Sequence, residues 1–139
     1  MSSDLEKIDK FLSKHHVLTL ATSNEKELSA CSLFYVFDKV KNSFVVASSE
    51  ATTHIQNILK NPFVAGAVVL ETKIVGKIEG VQFRGEFLLL EDETLKKLYF
   101  KKFPYALAMN PKLWQIKINY FKMTDNTLGF GKKIIWQKS

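Results

Sequence analysis

The chain has 139 residues, 46% of them hydrophobic, with one cysteine and a formal net charge of +6. That length suits one domain, 1–139, with a core that needs no metal, and the lone Cys31 excludes an internal disulfide framework. No apolar run is long enough to span a membrane, and residues 1–10 lack the apolar stretch of a signal peptide, so the expected location is the cytoplasm.

The first expected element is a helix. Ser3 and Glu6 have the spacing of a capping box, Leu5, Ile8 and Leu12 share one helical face, and Lys14-His15 suits the negative end of the dipole. Residues 16–22 and 28–37 read as strands around the polar turn Asn24–Glu27, and 43–48 as a third strand after a turn at 38–42. A second helix is expected from Thr53 as N-cap, with Gln56 completing a capping box and Asn61-Pro62 stopping it. Residues 63–70 form a near-continuous apolar strand. Residues 78–90 read as the longest strand candidate, where Gly80 and Gly85 suggest bends or bulges. Glu91-Asp92-Glu93 opens a third helix that Lys101-Lys102 closes. Trp114, Ile116, Ile118 and Tyr120 alternate with polar residues as one buried strand face, and 132–137 reads as a last strand. Strands dominate, so the expected fold is mainly β: a partly open antiparallel barrel of six or so strands with peripheral helices.

Few constellations carry chemistry. His15, His16 and His54 lack zinc-site spacing, and Cys31 reads as a small buried residue rather than a nucleophile. Gly129-Phe130-Gly131-Lys132 reads as a tight turn rather than a phosphate loop. The segment from Ser48 to His54 joins a strand end to a helix start, where free backbone N–H groups attract anions. Thr52 and Thr53 add hydroxyls and His54 a ring N–H. A plain helix cap accounts for the same residues and, on the motif alone, comes first. Gln82, Arg84 and Glu86 share a strand face that either contacts a planar heterocycle or lies in solvent. The lysines are dispersed and Arg84 is the single arginine, so nucleic acid is the last-ranked partner.

The order Val17–Thr22, Cys31–Phe37, Phe44–Ser48, Thr52-Thr53-His54 with Asn61-Pro62, and Gly80-Val-Gln-Phe-Arg-Gly-Glu86 resembles the pyridoxamine-phosphate-oxidase-like, FMN-binding split barrels. The block Thr124-Asp-Asn-Thr-Leu-Gly-Phe-Gly-Lys-Lys-Ile-Ile-Trp136 is similar to that of the small bacterial YhbP-like proteins in particular. The resemblance implies a homodimer with two FMN sites at the interface and a small-molecule substrate. It implies the FMN phosphate at Thr52, Thr53 and His54, where a serine and a lysine or arginine are more usual. Leu20, Ala21, Thr22, Ser32, Leu33 and Phe34 would flank the ring and ribityl chain, Gln82 would contact the flavin, and Lys132, Lys133 and Trp136 could approach it. The implied activity is a flavin-dependent oxidoreductase. A non-catalytic module for flavin, haem or another phosphorylated ligand stays open, since no general acid or base stands out.

Overall fold

Strand β1 (Val17–Ser23) buries Leu18, Leu20 and Thr22 and exposes Val17, Thr19 and Ala21. This two-residue period is what one dry and one wet face require. The computed structural model describes residues 2–129 and 131–138. Helix α1 (Ser2–Ser13) precedes β1; then come β2 (Leu28–Asp38), β3 (Ser43–Ala47), α2 (Thr53–Lys60), β4 (Phe63–Val69), β5 (Glu79–Leu89), α3 (Glu93–Lys102), β6 (Leu113–Asp125) and β7 (Lys133–Gln137). The side chain of Ser3, and with it the expected capping box, lies outside the described residues, as does Phe130 of the glycine turn.

The strand order is β3-β2-β1-β4-β5-β6-β7, and β3 also pairs with β6. That pairing closes the first six strands into an antiparallel barrel, with β7 added along the second half of β6. The interior is filled from every strand, with Leu20, Tyr35, Phe44, Val68, Phe83 and Phe121 at its centre. Helix α1 places Ile8, Phe11 and Leu12 against this core, and α2 adds Ile55 and Ile58. The Tyr35 hydroxyl donates to the Leu12 carbonyl at 2.6 Å, so the one polar group of a fully buried ring is satisfied.

Two glycines permit the curvature. A Cβ on Gly66 would lie 2.3 Å from Phe83 Cζ, so the bare backbone of β4 makes room for that ring. At Gly85 a Cβ would lie 2.4 Å from the Lys117 carbonyl, and the β5–β6 register shifts between Arg84 and Gly85. Gly80, by contrast, sits in regular pairing with Val69 and Thr124.

The register shift corrects one expectation. Arg84 pairs with Tyr120 whereas Gly85 pairs with Ile118, so β6 carries an extra residue there. Alternation resets: Ile118 and Phe121 are both buried, and Tyr120 leaves the face of Trp114, Ile116 and Ile118. Tyr120 instead lies beneath Arg84, whose guanidinium carbon is 4.2 Å from the ring centroid. A second correction concerns α2, whose N-cap is Thr52 rather than Thr53; its hydroxyl accepts from Ile55 N. Gln56 does not close a capping box but donates to the Glu50 carbonyl at 2.7 Å.

Helix α3 is capped by Asp92, which accepts from the Thr94 and Leu95 amides. It packs outside the barrel, where Leu95 and Tyr99 join Val45, Leu90 and Leu113 in a second small core. A short 3-10 segment, Pro104–Met109, follows it and was not expected from the sequence pattern. Lys102 holds this end of α3 in place by donating to the carbonyls of His15 (2.9 Å) and Tyr35 (3.0 Å).

Candidate functional site

The outer faces of β1, β2, β4, β5 and β6 form a shelf, with small side chains on the first three. One row across the strands reads Ser32, Thr19, Ala67, Gln82, Lys122; the next reads Ala30, Ala21, Ala65, Arg84, Tyr120. Larger apolar side chains rim it: Leu28, Phe34 and Phe63 are exposed by 86%, 59% and 63%. Side chains this small let another surface approach the backbone closely, while exposed aromatics at the rim mark a contact area.

Beside the shelf lies the turn between β3 and α2. Its backbone is fixed from β6: Ser48 N donates to the Lys112 carbonyl at 3.0 Å, and Trp114 Nε1 donates to the Ser48 carbonyl at 2.9 Å. The Thr52 hydroxyl donates to the Ser49 carbonyl at 2.8 Å while capping α2. Ser48 Oγ and His54 Nε2 stand 2.5 Å apart, and Thr52 Oγ1 is 3.3 Å from the same nitrogen. Burial of His54 pushes its pKa down, so the ring is neutral at pH 7. The turn thus offers hydroxyls and a helix N-terminus but draws no positive charge from its own histidine.

A cavity of about 640 Å³ connects the turn with the edge of the shelf. Ser48, Ser49 and Glu50 line one side; Phe34, Tyr99 and Met109 contribute apolar surface. Its size is within the usual range for small-molecule and cofactor sites. Lys112 also lines it, with its ammonium 3.0 Å from Glu50 Oε1. No histidine is among its lining residues.

A family model described as pyridoxamine 5'-phosphate oxidase matches residues 5–123. The chain belongs to that family. It is 42% identical to the UPF0306 protein YhbP of Escherichia fergusonii over 138 residues, covering 97% of this chain and 94% of the relative. It also superposes on a heme-binding protein from Mycobacterium smegmatis with a TM-score of 0.79 at 17% identity, covering 96% of this chain and 57% of that one. A FAD-binding protein from Mesorhizobium loti gives 0.67 at 18% identity, with 85% and 91% covered. At such identities these two likenesses speak for the fold alone.

Within this pyridoxamine 5'-phosphate oxidase family member, the residues singled out from the sequence separate into groups. Ala21, Ser32 and Phe34 present side chains on the shelf, and Phe34 reaches the cavity. Leu20 and Leu33 point into the barrel core, so they offer the outer face only backbone. Thr22 is buried and accepts from Asn57 Nδ2 at 3.0 Å, tying β1 to α2. Thr52, Thr53 and His54 sit together at the start of α2. Gln82 is on the shelf, but three strands from Ser32, or roughly 14 Å at the usual strand spacing. Lys133 pairs with Thr124 and Trp136 with Phe121 along β7. The sequence reading missed Tyr99, Met109 and Lys112. The bracketing prolines 104 and 111, with exposed Tyr105, Leu107 and Met109 between them, are the signal that marks this segment.

Proposed function

We propose that the chain binds FMN, with its phosphate at the Ser48–Thr53 turn and its ring system against Phe34 and the cavity beyond, and acts as an oxidoreductase on a small molecule. The observation that carries this reading is one cavity with hydroxyls on one side and aromatic and apolar side chains on the other. That donor set suits a planar apolar ring joined to a phosphate. Bound flavin would supply the electron-transfer chemistry, and the protein would supply position and access. Ser48, Ser49, Thr52 and Thr53 would hold the anionic end, while Phe34 and Tyr99 would bound the ring and limit water.

The shelf supports a second copy as the other wall. Ser32 and Gln82 are too far apart to meet one ring system edge-on within a single chain. A partner laid across the alanine rows would bring its own residues to the cavity mouth. The single free thiol, Cys31, fits the cytoplasm.

One observation favours a second reading, a non-catalytic ligand module. His54, at the start of α2, has its Nε2 engaged with Ser48 and does not line the cavity. Among side chains able to ligate a haem iron, Tyr99 and Met109 line the cavity, so haem belongs to this second reading alongside flavin.

The test is the visible spectrum of purified protein after incubation with excess FMN and removal of the unbound fraction. Retained flavin is expected, with retention at least several-fold weaker in a Thr53→Ala, His54→Gln variant that keeps its circular dichroism. Absence of flavin in the wild type refutes the reading. Retained flavin that reduced nicotinamides and other small donors do not reduce favours the non-catalytic module.

A further inference from the structure

The turn that would hold an anion has no cation of its own. Burial disfavours a charge on His54, and residues 48–54 include neither lysine nor arginine but do include a carboxylate, Glu50. A phosphate arriving there meets a negative charge first. The compensating charge comes from elsewhere in the chain. Lys112, just before β6, is locked to the turn through its carbonyl, which accepts from Ser48 N at 3.0 Å. Its ammonium is 3.0 Å from Glu50 Oε1 and 5.5 Å from the Trp114 ring centroid. Both Glu50 and Lys112 line the cavity, and both side chains are substantially exposed, at 60% and 39%.

An exposed lysine–glutamate pair contributes only about 0–1 kcal/mol, so another anion can replace its carboxylate at little cost. A phosphate oxygen forms a charge-assisted hydrogen bond with an ammonium at least as well as a carboxylate does. The anchored backbone keeps the base of Lys112 beside Ser48 while the side chain turns from one anion to the other. We infer that Lys112 is the cation that receives the ligand's phosphate in this cavity, and that Glu50 is the carboxylate the phosphate displaces. This rests on the flavin reading above and goes beyond it: the permanent charge is moved from the helix start to a residue distant in sequence. Glu50 then tempers the phosphate's hold, because every phosphorylated ligand must first displace it.

The experiment compares FMN with riboflavin, which lacks the phosphate, by fluorescence titration of wild type, Lys112→Met and Glu50→Gln. Lys112→Met is expected to weaken FMN about tenfold and leave riboflavin unchanged, and to flatten the salt dependence of FMN binding. Glu50→Gln is expected to tighten FMN several-fold and leave riboflavin unchanged. Equal FMN affinity in wild type and Lys112→Met overturns the inference and leaves the flavin reading standing. Changes of equal size for FMN and riboflavin overturn it too, since they show an effect on the cavity rather than on the phosphate. A wild type that binds neither flavin overturns the reading on which the inference rests.

Discussion

His54 occupies the first turn of α2 with only 9% of its surface exposed, its Nε2 against Ser48 Oγ. Burial opposes protonation, so its folded-state pKa lies below the ordinary value of 6.5. The unfolded chain therefore takes up this proton first as pH falls. The stability held by neutral His54 is complete above 6.5 and is lost progressively below it, until the folded state protonates as well. His15, also pushed down mainly by burial, works in the same direction. Asp9 is pushed the other way by burial, but from a carboxylate's usual value of 3.8. The melting temperature of the wild type is thus expected to fall between pH 7.5 and 5.5, and to fall less in His54→Gln. Thermal melts at the two pH values check this. Equal slopes in the two proteins would show that His54 binds its proton as readily folded as unfolded.

Elements show where sequence pattern carries structure and where it stops. The alternation of β1 and the Asn61-Pro62 stop of α2 were legible because each follows from local geometry. The bulge was legible only in part: Gly85 marks the irregularity on β5, but not that the extra residue falls on β6. Trp114, Ile116, Ile118 and Tyr120 continue a perfect alternation in the sequence, and only the partner strand breaks it, through the tight contact at Gly85. The site divides the same way. Thr52, Thr53 and His54 are contiguous and announce a helix start, while Lys112 reaches the same place through a strand pairing that no local pattern encodes. Gly66 belongs to this non-local class, since Phe83 and the Thr19 carbonyl both lie where its side chain would be. Gly66→Ala is expected to destabilise the barrel by about 1–3 kcal/mol, as overpacking a tight interior does. Chemical denaturation measures it. An unchanged midpoint would mean that Phe83 rotates away freely, and that the β4–β5 contact is looser than the geometry indicates.

At the scale of the whole molecule, the barrel packs its inner face into the core but leaves Val17, Leu28, Phe34, Phe63 and Val69 exposed on one outer surface. Rows of alanine, serine and threonine between them make that surface flat. A flat apolar shelf exposed on one side is suited to pairing with its own copy, since a two-fold arrangement lets the same rows face each other. Leu28 and Phe63 border a cleft of about 360 Å³ that also contains Arg84 and Asn119. A charge placed at Phe63 would therefore fall inside the contact without touching the barrel core. Phe63→Glu is expected to shift the protein from dimer to monomer in sedimentation equilibrium while leaving its circular dichroism intact. If a partner completes the ligand site, the same variant loses retained FMN although residue 63 does not line the cavity beside Ser48. A monomeric Phe63→Glu that retains FMN as wild type does would confine the site to one chain. A wild type already monomeric at micromolar concentration would leave the shelf to some other occupant. Loss of pairing and ligand together is the outcome that makes the shelf and the cavity two halves of one site.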